Sequence, residues 1–448
     1  MLTEGEAKSV LKSALEHTDA DEAEASLGGG SFSLTRFANN TIHQNVSEER
    51  YELSVRVTYG ARTARATTSS LEAAAIAGAV QRAQEMAKRS SPLEDLLPMA
   101  EGAGTPSKEC YSPATADAAA ETRAAMAGAV IERCRKKGLS AAGIVATGEG
   151  AFAEYGELTP FAVMNTKSLF LYHKLTQAQF STTVHAEGSS GWAAATSSDV
   201  GDIDAPGLAE VAVEKALMGV NPKPLEPGRY DVVLEPEAVS NLLWFLCEGF
   251  GALAVKEGRS FLTDKLGDKI VGEDICLSDD VYHPLHVGVP FDWEGVEKRR
   301  VRLIEDGVAR AVVHDRMTAK GEGVESTGHG LPVPNTEGPL ASHLVMKGGE
   351  KKLEDLIASV ERGVLVTRFW YTRVVDPIKV IITGMTRDGT FLIEKGKISF
   401  PLINMRFNES VLNMLGAVEG MTGQAIATGL VVPGLKARGF AFSSGTSF

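Results

Sequence analysis

The sequence predicts an α+β protein. Meander-plus-helix units occupy its N-terminal half, and a large, mostly antiparallel β domain follows. Three observations carry this reading. Runs with apolar residues at period two are separated by turn signals along the chain. Ala-rich segments with helical spacing follow the first strands. Beyond Gly228, helical periodicity is largely confined to three stretches. The expected domains are residues 1–90, 114–220 and 228–448.

Thr3 and Glu6 form a capping-box pattern before an amphipathic helix with Val10, Leu11, Ala14 and Leu15 on one face. "SFSLTRFANNTIHQN" (Ser31–Asn45) alternates around an Asn39-Asn40 turn, and "YELSVRVTYGARTARATT" continues the meander through a Gly60 turn. Ser69 or Ser70 is the expected cap of the helix "LEAAAIAGAVQRAQEMAK". The Ser- and Pro-rich stretch from Ser90 to Pro113 reads as a linker or an exposed loop. A second helix, Ala114 to Lys137, stops at Gly138 with basic residues in its last turns, where they suit the helix dipole. Strand-like segments follow, including "AAGIVATGEGAFAEY", and Asp204 opens a helix through Met218. "NPKPLEPG" (Asn221–Gly228) marks a boundary, "RYDVVLEP" a strand, and Glu237 to about Val255 a continuous helix. Asp306-Gly307 and Lys395-Gly396 signal hairpins, and "GEKKLEDLIASVE" and "SVLNMLGAVE" are further helices.

Composition excludes several function classes. The 448 residues suit two or three domains, with 44% hydrophobic and 23% charged residues. A net charge of −13 opposes binding to phosphate backbones, so no nucleic-acid partner is expected. "EKRRVR" (Glu297–Arg302) reads as one face of a strand. The four cysteines, Cys110, Cys134, Cys247 and Cys276, include no CxxC pair, which fits a reducing compartment. The first twenty residues lack a signal-peptide pattern, and no stretch reaches about 18 consecutive apolar residues. The expected location is cytoplasmic, without a membrane partner.

"LEPGRYDVVLEPEAVSNLL", "GRSFLTDKLGDKI", "PFDWEGVEKRRVRLIEDGVARAVVHDRMTA", "STGHG" and "FLIEKGKISFPL" occur in an order that resembles the TldD/PmbA (TldE) family, formerly called modulators of DNA gyrase. "TRFANNTIHQN" and "LSVRVTYGARTARATTSSL" resemble that family's first domain. The resemblance implies zinc metallopeptidase chemistry in TldD-type members. These carry a His-Glu-x-x-x-His helix and a cysteine ligand near the C-terminus. PmbA/TldE-type members share the fold without those ligands, and the two types pair to cleave unstructured peptides.

Laid on this chain, the family's metal helix falls within "LWFLCEGFGALA" (Leu243–Ala254). Cys247 and Ala252 stand at the histidine positions and Glu248 keeps the glutamate. Met421 and Thr422 are nearest to the C-terminal cysteine position, and no cysteine follows Cys276. A catalytic zinc uses three protein ligands and one open position. At most Cys247 remains here, so no metal and no cofactor are expected, and no catalytic residue is assigned. Cys247 reads first as a small buried residue. Glu248 can cap, pair with Lys256 or Arg259, or face a pocket. His283 and His286 in "VYHPLHVG" read as loop residues rather than ligands.

"ESTGHGLPVPNTEG" (Glu325–Gly338) reads as an extended loop with free backbone groups. The resemblance puts it near the cleft, where Thr327, Gly328, His329 and Gly330 would contact a peptide added as a strand. The reading that follows is a PmbA/TldE-like subunit completing the cleft of a TldD-like zinc peptidase paralogue. Two alternatives stand beside it: a catalytically silent homodimer that binds or regulates peptides, and a metal-independent hydrolase using Cys247. Direct action on gyrase or DNA is disfavoured by the charge.

Overall fold

The computed structural model describes residues 1–102, 104–151 and 160–445. It is α+β, with two mostly antiparallel sheets.

The first sheet contains β1 (Glu22–Ala38), β2 (Thr41–Tyr59), β3 (Arg62–Thr68), β4 (Ser140–Ala151), β5 (Pro160–Asn165), β6 (Phe170–Tyr172), β7 (Thr176–Ala186) and β8 (Ser189–Ser197). Its main path runs β3-β2-β1-β4-β7-β8. Asn39 and Asn40 both take left-handed backbone at the β1–β2 turn, which suits the twist of a two-residue hairpin. The two meander-plus-helix units join into this one sheet through β1 and β4, yet each keeps its own core. Helices α1 (Glu4–Glu16) and α2 (Ala73–Arg89) cover the first core, with Leu11, Val55 and Val80 buried. The short α3 (Pro113–Ala116) precedes α4 (Ala120–Lys136), which packs with α5 (Ala205–Met218) over the second core.

The Thr3–Glu6 capping box forms, and Asp204 caps α5 by accepting from Gly207 N. The α2 cap differs from expectation. The helix starts at Ala73 after Glu72, and Ser70 instead accepts a hydrogen bond from Glu72 N. The expected helix from Ala114 divides into α3 and α4. Phe152–Tyr155, the tail of one strand-like segment, lies outside the described residues. β8 has no alternating pattern and packs under α5, where a side chain at Gly191 would meet Ala212 O at 2.1 Å.

The second sheet has eleven strands. They are β9 (Gly228–Leu234), β10 (Leu277–Asp279), β11 (Val301–Glu305), β12 (Val308–Ala309), β13 (Leu344–Met346), β14 (Arg362–Asp376), β15 (Ile381–Glu394), β16 (Lys397–Pro401), β17 (Met405–Ser410), β18 (Val418–Ala427) and β19 (Leu430–Gly445). β19 pairs with β9, β13, β17 and β18, so it ties the sheet together. Asp306-Gly307 and Lys395-Gly396 close the expected hairpins with left-handed backbone. The helices are α6 (Pro236–Leu243), α7 (Ala252–Lys256), α8 (Arg316–Glu322), α9 (Leu353–Ala358) and α10 (Val411–Gly416). The largest core lies here, between the sheet and the segment running from α6 to α7. None of the described helices is long and apolar enough to cross a membrane.

Candidate functional site

The helix expected from Glu237 to Val255 is interrupted. α6 begins on Pro236 and buries Ala238, Val239, Leu242 and Leu243. Two tight turns follow, 244–246 and 248–250, and Gly251 is extended (φ −75°, ψ 132°) before α7 begins. The cause is long-range packing. Val313 runs parallel to Gly251, taking Ala252 N at 3.0 Å and giving its own N–H to Phe250 O at 2.9 Å. Phe261 packs edge-on to Phe250 at 5.2 Å and fills the space beside Gly249. A side chain at Gly251 would meet Pro339 O at 2.4 Å.

These turns scatter the three motif positions. Cys247 is buried, and its thiol is pushed well above the ordinary range by burial, with Asp279's charge adding to the effect. Glu248 turns outward, 76% exposed, and faces Arg259 at 3.7 Å. Ala252 is buried and offers no donor atom. Thr422 Oγ1 accepts from Gly434 N and donates to Gly423 O. No three His, Cys, Asp or Glu side chains converge on a possible metal position among the described residues. His283 and His286 do lie in a loop, with rings 6.3 Å apart.

The polar centre of this domain lies beside Cys247, where Asp279, Lys298, Ser342 and His343, not expected from the sequence, join Thr327 and His329. Asp279 ends the buried strand β10. Its Oδ1 is 2.9 Å from His329 Nε2, and its Oδ2 accepts from the N–H groups of Ser342 and His343, each at 2.8 Å. His329 Nδ1 is 2.9 Å from Thr327 Oγ1, which in turn accepts from His314 N at 2.7 Å. Lys298 Nζ reaches Ser342 Oγ at 3.3 Å. Burial alone would raise the Asp279 carboxyl. The charge and hydrogen bond of His329, with His343 and Lys298, outweigh it and hold the group well below the carboxylate range.

The Thr327–Gly330 loop is docked on a second buried group. Asp292 Oδ2 accepts from Gly330 N at 2.7 Å, while its Oδ1 accepts from Glu294 N and Val296 N. Glu294 accepts from Arg316 N at 3.2 Å. The expectation of free backbone in this loop is corrected. Thr327 N donates to His314 O, Thr327 O accepts from Arg299 N, and Gly328 N donates to Ser326 Oγ. His329 O accepts from Leu340 N, and Gly330 O from Trp293 N. Gly328 sits at φ +73°, where a side chain would meet Glu297 O at 2.2 Å. The next residues touch the first sheet, since Arg65 Nε donates to Val333 O at 2.9 Å. The main chain from Thr327 to Gly330 is therefore engaged within the C-terminal half, and Val333 beyond it meets the first sheet.

Burial pushes Asp292 up to about 6. Burial and then the Asp292 charge push Glu294 up to about 8. An unfolded glutamate titrates near about 4.3. The stability that protonated Glu294 contributes is therefore full below that pH and is lost as pH rises through about 8. Glu294→Gln keeps a neutral group there, so its urea midpoint should fall less between about pH 5 and pH 8 than that of the parent chain. Equal slopes would contradict the assignment.

Comparisons with known proteins agree with this architecture. The family model described as "PmbA/TldA metallopeptidase C-terminal domain" matches residues 227–444, and that for "PmbA/TldA metallopeptidase domain 1" matches residues 23–87. The metalloprotease TldD homolog of Haemophilus influenzae is 28% identical over 260 residues, 53% of this chain and 52% of that protein. The metalloprotease PmbA homolog of the same organism is 23% identical over 234 residues, 50% of this chain and 49% of that protein. The matched stretch thus spans about half the length of these curated relatives, which include both types. The crystal structure of TldE from Thermococcus kodakarensis superposes with a TM-score of 0.84 at 22% identity, covering 97% of this chain and 99% of that one. With both of its terminal domains matched, the chain belongs to the PmbA/TldD metallopeptidase family.

Proposed function

We propose that this chain is the non-metal subunit of a TldD/TldE-like peptidase that processes unstructured peptides, and that a metal-bearing relative supplies the hydrolytic centre. The observation that carries the reading is the interrupted helix. A zinc needs three converging protein ligands and an open position. The positions the resemblance assigns offer one protonated thiol, one outward carboxylate and one methyl group. The residues present do not fit the metal, so no hydrolytic step is derived through it.

A second observation supports association. β9 pairs only with Gly363–Val366 of β14, so the rest of β14 forms an edge beside β15. That arm leaves Trp370, Tyr371, Val374, Val375 and Ile378 exposed. Arg387 lies 4.7 Å over the Trp370 ring and Arg373 4.5 Å over Tyr371, which holds both rings outward. An exposed apolar edge of this kind marks an association surface. What the rest of this chain contributes is a rigid wall: the pinned Thr327–Gly330 segment and the Asp279 cluster behind it.

Cys247 lacks the features of a nucleophile. Its thiol is held protonated, and no imidazole lies within hydrogen-bond distance of it among the described residues. The mixing experiment tests the proposal. The purified chain should not hydrolyse an unfolded peptide alone, and should restore chelator-sensitive hydrolysis when added to a metal-bearing relative. A stable homodimer indifferent to that relative would support the silent homodimer instead. Hydrolysis by this chain alone, lost in Cys247→Ala, would support the cysteine enzyme.

A further inference from the structure

A second feature of the C-terminal domain lies on the opposite face of β10 from Asp279. Along this strand Ser278 sits directly across from Arg302 of β11 and Val345 of β13, so the three share one face. Together they form part of the lining of a cavity of 380 Å³, within the size range of small-ligand sites. Arg300, Arg302 and Lys347 also line it, against a single carboxylate, Glu305. That carboxylate is already engaged by Arg302 at 3.1 Å and by Arg310 at 3.5 Å. Arg300 is paired with Asp280 at 3.4 Å, so Lys347 is the lining cation left without an ion pair among the described residues, in a recess that Val345 also lines.

We propose that this recess binds the free C-terminal carboxylate of an extended peptide. Two arginines two residues apart present planar forks, which match a carboxylate, and Lys347 adds a point charge. Val345 and the aliphatic stems of the basic side chains receive the apolar last residue. The inference rests on the peptide-handling reading above and adds a separate docking point for one end of the substrate. Free phosphate shares the chemistry of the head group but not the apolar body.

Cys276 gives a direct readout. It lies on the wall of the recess and is the one cysteine of the four that is not buried. The probes are an N-acetylated tripeptide ending in valine, the same peptide as its C-terminal amide, and inorganic phosphate. The acid should slow alkylation of Cys276 saturably. The amide should protect at least about tenfold more weakly, since it lacks the charge-assisted hydrogen bonds. Phosphate at equal concentration should protect no better than the amide. Lys347→Met and Arg302→Gln should each remove protection without moving the unfolding midpoint, because both side chains are exposed. Absence of protection by the acid, equal protection by the amide, or equal protection by phosphate would each overturn the assignment. A chain that assembles with a metal-bearing relative but is not protected overturns this inference alone. Protection without such assembly overturns the partner reading alone.

Discussion

Asp279→Ala is expected to lower stability by about 3–5 kcal/mol, the cost of removing one member of a buried, hydrogen-bonded Asp–His pair. The carboxylate is fully buried and accepts from two main-chain N–H groups besides its contact with His329. Alanine would leave those donors dry, each costing about 1–3 kcal/mol. The effect has a pH signature. Because the folded carboxyl is held well below its ordinary value, its contribution is present above about pH 4 and is lost as pH falls through the folded value. Urea midpoints at neutral pH and near pH 3 test both parts, and the loss should shrink at the lower pH. His329→Ala should be destabilising on its own and should not add to Asp279→Ala, since the two act as one unit. A loss below about 1 kcal/mol, the size of an ordinary surface pair, would show that the cluster does not hold this domain together.

The second large effect concerns association. Trp370→Ala with Val375→Asp should weaken binding to a metal-bearing relative by at least about 2 kcal/mol, roughly thirtyfold in Kd. Trp370 is the kind of large, fixed aromatic group that dominates interfaces, and Val375 is 54% exposed, so a carboxylate there costs the isolated chain little. The substituted chain should therefore keep its unfolding midpoint while losing its partner. Unchanged affinity in titration calorimetry would place the interface elsewhere.

Much of the fold was legible because its signals are local. The Thr3–Glu6 box, the Asn39-Asn40 turn, Asp204 as a cap, and the two glycine hairpins each depend on residues within four positions of one another. Antiparallel pairing around such turns then follows from alternation. β8 was hidden because Ser, Ala and Gly carry no period, and its burial is supplied by α5.

The site was legible only in part. Cys247, Glu248 and Ala252 could be selected from the resemblance, but the break between them depends on Phe261, Val313 and Pro339, which no local pattern links to that helix. The polar cluster shows the same limit. Asp279 meets His329 across 50 positions, and Asp292 meets Gly330 across 38. The one available signal was an acidic pair at the end of a short apolar stretch, "ICLSDD" (Ile275–Asp280), where a buried carboxylate demands partners. His329, expected as a substrate contact, has a buried side chain between Thr327 and Asp279.

The proposed division of labour between the two chains depends on where the metal resides. Elemental analysis of the chain purified alone and of its complex with a metal-bearing relative, each after dialysis against trace zinc, tests this most directly. The geometry predicts no stoichiometric zinc on the isolated chain and about one per pair in the complex, carried on the relative's ligand set. One zinc per isolated chain, surviving Cys247→Ala, would contradict it.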